Sequence, residues 1–258
     1  MLDYLHSFQL STLDWVLVVL GALFVGMSKG GLPGISGLAV WMYVKVFGAK
    51  ESVGMLVSVL ICADLFGVVI YRRHADLAFV KRMLPFLISG TLVGTLVFVL
   101  LPGAFYQHFI GAILLLLVFF HFGTKRLHPE PPEPPDPQPA ERSKLVERTV
   151  GVCSGSFSML ANAGSVLLVA YLIRLGLPKL VFLGTFASLI LISNVVCLPL
   201  HWAIGSVTLN DLPLSFALGL LSLVGVVAAR LLVAVIPQKL FEAFIWTVVV
   251  LAGLELLF

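Results

Sequence analysis

Long runs of uncharged, apolar residues constrain this chain more than any other feature. LPFLISGTLVGTLVFVLL occupies residues 84–101, and FIGAILLLLVFF occupies residues 109–120. A helix needs about 20 apolar residues to cross the hydrocarbon core of a bilayer. Hydrophobic residues make up 60% of the 258 positions and charged residues 11%, against about 45–50% and about 25% in soluble domains. The sequence therefore predicts an all-α polytopic membrane protein.

One segment has the opposite composition and divides the chain. HPEPPEPPDPQPAERSK, residues 128–144, combines half of the 14 prolines with acidic residues, which is typical of an extended polyproline-like linker. We expect a cytoplasmic linker over residues 125–146, with membrane repeats over residues 13–124 and 147–258. Residues 1–12 have neither a positively charged start nor a small-residue cleavage site, so we expect a short extracytoplasmic segment rather than a removable signal peptide.

The two halves carry matching features in the same order. The GxxxG spacing of residues 26–30 recurs at 151–155, and the Leu-Val-Gly of residues 92–94 recurs at 223–225. Asp64 has its counterpart, Asn194, at an offset of 130 residues. The halves are therefore predicted to be structural copies of each other.

The distribution of basic residues predicts that these copies have inverted topology. Cytoplasmic loops carry an excess of Lys and Arg. The turn over residues 71–82 holds four basic residues, whereas its counterpart, residues 201–211, holds none. Inverted repeats need an odd number of crossings each, and three apolar spans per half meet that condition. The expected spans are 52–71, 83–101, 104–121, 180–200, 213–235 and 239–258.

The remaining segments, 13–47 and 147–175, are expected to form one broken, re-entrant helical hairpin in each half. The second has too few residues for two crossings, which need about 40. Irregular backbone at this depth must be buried in protein or face a water-filled cavity. The alternative is that each segment forms two short helices that both cross the membrane, which would leave the number of crossings in each half odd.

The tips of these hairpins carry the residues expected to bind a substrate. In inverted-repeat transporters the site lies near the bilayer midplane, where broken helices meet. Unpaired N–H groups and the positive ends of helix dipoles favour anions there. The predicted binding residues are Ser28, Lys29, Gly30, Gly31, Gly34, Ser154, Gly155, Ser156, Asn162, Gly164 and Asn194, with Ser158 as a further donor. For the glycines, the alternative is close helix packing, which GxxxG spacing also favours.

Charged and aromatic residues within the spans add functional candidates. A charge inside the membrane costs at least about 2.5–3.5 kcal/mol, which favours a function for Lys29; snorkelling to the interface is the alternative. Asp64 is predicted to exchange a proton or to neutralise Lys29, or else to be a structural hydrogen-bond partner. Tyr71 and His201, seven residues beyond Asp64 and Asn194, are the candidate gate or pathway residues, with a place in the interfacial aromatic belt as the alternative.

Other functions have weaker support. Cys62, Cys153 and Cys197 lie in apolar segments without the spacing of disulfides or metal sites, and no cofactor, metal or nucleic-acid partner is predicted. An intramembrane enzyme is disfavoured because no HExxH motif is present. A secondary carrier is the leading hypothesis, and a passive anion channel is the alternative. The predicted partners are a small anion, the proton and the lipid bilayer; a homodimer is one of the assemblies left open.

These residues resemble a known family. The glycine-rich broken segment near the start, the polar residue seven before Tyr71, and the repeat of this pattern as GVCSGSFSMLANAG, Asn194 and HWAIGSV are similar to the TauE/SafE sulfite exporters, also called four-toluene-sulfonate uptake permeases. The resemblance covers nearly the whole chain except the first dozen residues and the linker.

The resemblance implies a proton-driven, alternating-access exporter or importer of small sulfur-containing anions. The expected substrates are sulfite, sulfoacetate and other organosulfonates, or a non-sulfur anion as the alternative, and the expected location is the bacterial cytoplasmic membrane. Asp64 stands where the family pattern usually has an amide, and Lys29 stands where it has a small or polar residue. These two departures point to altered coupling or to a different anion.

Overall fold

The chain is helical throughout the part that the computed structural model describes, which is residues 10–30, 35–127, 144–235 and 238–258. Ten α-helices, one short 3₁₀ helix and no strand are found in those ranges. They are α1 (Thr12–Lys29), α2 (Ser36–Phe47), α3 (Ala49–Tyr71), the 3₁₀ helix Arg72–His74, α4 (Leu77–Leu100), α5 (Gly103–Leu127), α6 (Lys144–Ala161), α7 (Gly164–Arg174), α8 (Lys179–Ala203), α9 (Leu212–Val235) and α10 (Gln238–Leu257). Of the sequence predictions, Gly31, Gly34, residues 1–9 of the extracytoplasmic segment and residues 128–143 of the Pro-rich linker lie outside the described residues.

Five helices in the described ranges are long and apolar enough to cross a membrane, so the chain is a polytopic α-helical membrane protein. These segments are Thr12–Lys29, Ala49–His74, Leu77–Leu100, Leu180–Ala203 and Leu212–Ala229. The last four coincide with expected spans, and the first, α1, was expected to be one arm of a hairpin. The charged turn expected over residues 71–82 is shorter than predicted, because α4 already begins at Leu77.

The helix ends have identifiable local causes. Ser11 caps α1 in a reciprocal capping box with Asp14, and the Asp76 carboxylate accepts a hydrogen bond from the Phe79 N–H at the start of α4. Gly48, between α2 and α3, and Gly176, between α7 and α8, both have positive φ, 89° and 60°. Glycine adopts a positive φ without steric cost, so both turns depend on a glycine for this backbone angle.

Each half contains a helical hairpin, α1–α2 in the first and α6–α7 in the second. A methyl group on Gly21 of α1 would lie 2.6 Å from the Tyr43 ring of α2, and one on Gly164 would lie 2.1 Å from the Ser154 carbonyl oxygen of α6. At 1.5 Å per residue, α2 and α7 are only about 18 and 16 Å long. Since a hydrocarbon core is about 30 Å thick, neither short helix could cross it alone.

Glycines bring the two halves into backbone contact. A methyl group on Gly26 of α1 would lie 1.7 Å from the Ser222 carbonyl oxygen of α9, and one on Gly90 of α4 would lie 2.0 Å from the Val152 carbonyl oxygen of α6. Small residues allow membrane helices to approach this closely. Each hairpin is therefore held against a long helix of the other half.

The close approach of α4 and α6 gives a test of the packing. Gly90→Ala should lower the free energy of unfolding by about 1–3 kcal/mol, because the added methyl group forces these backbones apart. Gly67→Ala is the matched control: Gly67 is also inside a long helix, but its added methyl group would meet only the Ala187 side chain at an ordinary 3.7 Å. Thermal unfolding of both variants in detergent checks this, and equal melting temperatures would contradict it.

Candidate functional site

A cavity of about 60 Å³ lies where the two hairpins meet α3 and α8. Its polar lining comes from both halves: Ser28, Lys29 and Ser36 from the first, and Ser158, Asn162, Ser165 and Asn194 from the second. Leu60 and Ile190 contribute apolar wall from equivalent positions, again 130 residues apart. A water molecule needs roughly 10–15 Å³ of such space, so the cavity has room for roughly four to six waters or one small solute.

An ion pair lies at this cavity. The Lys29 Nζ atom is 2.6 Å from the Asp64 Oδ1 atom, and the Asn194 Nδ2 group donates a 2.6 Å hydrogen bond to Asp64 Oδ2. The Asp64 side chain is 3% exposed and the Lys29 side chain 21% exposed. Both carboxylate oxygens are thus engaged, and the two charges cancel. The arrangement corresponds to one of the roles considered for Asp64, the neutralisation of Lys29.

Each member of this trio comes from a different helix, and Lys29 and Asn194 also line the cavity. Lys29 is the last residue of α1, where the negative end of the helix dipole favours a cation. Asp64 lies within the buried part of α3, and Asn194 lies within α8. Three of the sequence-predicted residues therefore meet, although they are far apart in the sequence.

Asn162 shapes the second hairpin where α6 ends and α7 begins. Its φ is 53°, in the left-handed region, which asparagine tolerates better than most residues. Its Nδ2 group donates a 3.1 Å hydrogen bond to the Val53 carbonyl of α3, while its Oδ1 atom is buried and has no hydrogen-bond partner within the described structure. The hydrogen bond holds the tip of the second hairpin against α3, and the Oδ1 atom is an unpaired acceptor on a residue that lines the cavity.

Two of the predicted glycines lie at helix contacts and outside the cavity lining. A methyl group on Gly30 would lie 2.6 Å from the Val226 carbonyl oxygen of α9, and one on Gly155 would lie 2.1 Å from the Leu87 carbonyl oxygen of α4. These contacts agree with close helix packing, which was the alternative to substrate binding for the glycines. Gly31 and Gly34 lie outside the described residues.

Three other predicted residues of the second hairpin also lie outside the cavity lining. The Ser156 hydroxyl donates a 2.8 Å hydrogen bond to the Gly90 carbonyl of α4. Ser154 is fully buried, and Gly164 packs against its backbone. The polar part of the cavity lining from this hairpin comes from Ser158, Asn162 and Ser165 instead.

The candidate gate residues lie apart from the cavity lining. His201 is fully buried near the end of α8, with its Nδ1 atom 2.7 Å from the Ser206 hydroxyl and its ring edge-on to Phe98. Tyr71 is the last residue of α3, and its carbonyl lies close to Gly184 of α8. The burial of His201 within protein distinguishes it from a residue of a lipid-facing aromatic belt.

Sequence reasoning missed two polar residues of the cavity lining, Ser36 and Ser165. Each lies in the first turn of the short helix that follows a tip, so its hydroxyl accompanies the unpaired N–H groups of that turn. The available signal was positional: each serine follows a glycine of its tip by one or two residues, Gly34 and Gly164. In the described ranges, no group of three His, Cys, Asp or Glu side chains is placed to hold a metal ion.

Comparison with known proteins identifies a family for most of the chain. A family model described as sulfite exporter TauE/SafE matches residues 17–256. Searches among curated proteins and among solved structures give no match. The matched region contains the second hairpin, all but the first five residues of the first hairpin, and every residue that lines the cavity.

The ion pair should dominate the energetics of the site. Lys29→Met should lower the free energy of unfolding by about 3–5 kcal/mol, because it leaves Asp64 buried without a counter-charge. Asp64→Leu should also lower the free energy of unfolding, because it leaves Lys29 without its counter-charge. Unfolding in detergent should show that the double variant loses less than the sum of the two single losses.

Lys45→Met is the control for this cycle. Lys45 pairs with Glu255, but the two side chains are 38% and 49% exposed, so the loss should be under about 1 kcal/mol. Additive losses for Lys29→Met and Asp64→Leu would mean that the two residues do not act as a pair.

Proposed function

Because the chain belongs to the sulfite exporter TauE/SafE family, as its motifs predicted, we propose that it is a secondary transporter of a small sulfur-containing anion, such as sulfite or a small organosulfonate. The family match and the apolar helices establish a multi-pass membrane protein of a transporter family. The proposal adds the class of anion, proton coupling and the bacterial cytoplasmic membrane.

The cavity between the hairpins is the observation that carries the proposal. The first turns of α2 and α7 both reach it, through Ser36 and Ser165. Helix N-termini present unpaired N–H groups and a positive dipole end to an anion. Lys29 adds a full positive charge, and the hydroxyls add hydrogen-bond donors. The volume fits a compact oxyanion such as sulfite better than a bulky aromatic sulfonate.

Inverted repeats are supported by the directions of equivalent helices. Gly54, near the start of α3, packs against Ser206 beyond the end of α8, whereas Gly67, near the end of α3, packs against Ala187 in the first third of α8. The two helices therefore run antiparallel, although they occupy equivalent places in their halves. Copies related by an axis along the membrane normal would have equivalent helices running in the same direction.

Alternating access would use the contacts between the halves. The glycine contacts join the first hairpin to α9 and the second hairpin to α4, which suggests two rigid groups that rock about the cavity. In this mechanism the hairpins are re-entrant, Lys29 and the helix N-termini hold the anion, and Asp64 exchanges a proton. Tyr71 and His201, at the ends of α3 and α8, would gate the two sides.

Lys29 gives the direct test of transport. In proteoliposomes, Lys29→Ala should reduce counterflow of radiolabelled sulfite at least about thirtyfold, because the anion loses its cationic partner. Lys45→Ala, which changes a lysine paired with Glu255 outside the cavity lining, should keep the wild-type rate. Saturable counterflow in the wild type distinguishes a carrier from a channel. Wild-type rates in folded Lys29→Ala protein would remove Lys29 from the mechanism.

Cysteine labelling tests the inverted topology. In a background with Cys62, Cys153 and Cys197 replaced by alanine, single cysteines at Arg73 and Leu209, both exposed, should react with an impermeant maleimide from opposite sides. Arg73 should be labelled from the cytoplasm, because its turn is rich in basic residues. Labelling of both positions from the same side in intact cells would contradict inverted repeats.

A further inference from the structure

The neutral ion pair at the cavity constrains how an anion could bind there. We infer that the site binds a small, singly charged oxyanion only together with one proton, which Asp64 takes up, so that anion and proton cross in the same direction. This inference rests on the proposed transport function and specifies its coupling.

Before an anion binds, the site carries no net charge. Lys29 contributes one positive charge and Asp64 one negative charge, in contact at 2.6 Å. An anion added to this pair would leave one uncompensated negative charge in a part of the protein surrounded by apolar helices. Such a charge is strongly disfavoured unless it is paired. The anion therefore needs a compensating positive charge from elsewhere.

Other titratable groups do not supply that charge in the described structure. Helices α1, α2, α5, α6, α8 and α9 and the 3₁₀ helix pack against α3. Their other titratable side chains are Asp14, Tyr43, Lys45, Tyr106, His108, Lys144, Glu147, Arg148, Cys153, Cys197 and His201, with Arg72, Arg73 and His74 of the 3₁₀ helix. Among described side chains, Lys29 forms an ion pair with the Asp64 carboxylate and Asn194 donates a hydrogen bond to it. The side chains of His121, Lys125, Arg126, Lys179 and Arg230 on those helices lie outside the described set.

Charged groups on α3 itself are distant along the helix. Lys50 and Glu51 precede Asp64 by 14 and 13 residues, or about 20 Å at 1.5 Å per residue. Lys50 lies over the rings of Phe98 and Tyr106. The charge state of the site therefore depends on Lys29 and Asp64.

Protonation of Asp64 provides the compensation. One proton from water converts the carboxylate to a neutral acid, which ends its ionic attraction to Lys29. The Lys29 ammonium group, which lines the cavity, is then free to bind an anion in place of the carboxylate. No covalent bond between heavy atoms changes, and the proton leaves Asp64 when the anion departs.

Asn194 is suited to hold Asp64 in both states, which makes it a positioning residue. Its amide group donates to Asp64 Oδ2 in the ionised state. A carboxamide also carries an acceptor oxygen, so after a rotation it could accept the O–H of the protonated acid. The acid is thereby held in place while its charge changes.

Coupling follows from the charge of each state of the site. The empty site and the site holding both proton and anion are neutral, whereas a site holding only one of them carries a net charge. Because a net charge at this depth is costly, only the two neutral states should reorient across the membrane. One proton compensates one negative charge, so a singly charged oxyanion is preferred over a doubly charged one of equal size.

The two substrates that test this differ in charge but not in size. Methanesulfonate and sulfate each have five heavy atoms, and methanesulfonate stays singly charged across the working pH range. In wild-type proteoliposomes with a lumen one pH unit more alkaline than the medium, labelled methanesulfonate should accumulate about tenfold, because one proton moves with each anion. An imposed membrane potential should not change this accumulation, and sulfate should not accumulate.

The variant Asp64→Asn tests whether Asp64 is the residue that couples proton movement to anion movement. This variant keeps Lys29 permanently free, so methanesulfonate counterflow should persist while accumulation under the pH gradient disappears. Lys45→Gln, which breaks an ion pair outside the cavity lining, should keep the tenfold accumulation. Persistence of the gradient-driven accumulation in Asp64→Asn would overturn the role of Asp64.

If Asp64→Asn does not fold, a binding measurement on the wild-type protein tests the same inference. In weakly buffered detergent solution, each methanesulfonate bound should take up one proton, detected with a pH indicator. Binding without proton uptake would overturn the inference.

Failure of the proposed function and failure of this inference give different results. Absence of counterflow with every anion tested would defeat the transport proposal itself. Counterflow without accumulation under the alkaline-inside gradient, or accumulation under the opposite gradient, would leave a transporter but defeat co-transport with a proton.

Discussion

The contact between Lys29 and Asp64 is the interaction on which the site depends. Either charge alone would be costly among apolar helices, and a contact of 2.6 Å, with Asn194 on the second carboxylate oxygen, is what makes the pair tolerable there. Because Lys29 ends α1 and Asp64 belongs to α3, the pair also fixes the tip of the first hairpin against α3. The electrostatics and the geometry of the cavity are thus set by the same three side chains.

Glycine contacts determine where a cavity can exist at all. Backbones of α1 and α9, and of α4 and α6, touch at Gly26 and Gly90, where even a methyl group would overlap a carbonyl oxygen. Such contacts leave no space for a solute. The cavity lies instead where the tips meet α3 and α8, because the hairpin helices end there and side chains such as Ser28 and Ser158 line the remaining space.

Two kinds of feature were predictable from the sequence: those set by the energetic cost of placing polar residues in a membrane, and those set by the repetition of one pattern in both halves. The family resemblance is confirmed by the match over residues 17–256, and the long helices follow from apolar runs. The proximity of Asp64 and Asn194 was suggested by the repeat offset, because equivalent residues on two contacting copies can meet at the pseudo-symmetry axis. The roles of the glycines could not be read in the same way: spacing reveals a small residue, but whether Gly30 faces a cavity or helix α9 depends on how the helices assemble. Ser36 and Ser165 were missed because a serine inside a membrane has no large energetic cost, unlike a charged residue, and so does not stand out as functional.

The two halves supply unequal chemistry to a cavity that both of them build. The counterpart of Asp64 is the neutral amide Asn194, and the GxxxG alignment, which pairs Gly26 with Gly151, makes Ser154 the counterpart of Lys29. A fully symmetric site would hold two acids and two bases, and its charge could change in several steps. With a single acid and a single base among the described groups in contact there, the site has one protonation step. The asymmetry between the halves therefore limits the proposed cycle to one proton for each anion.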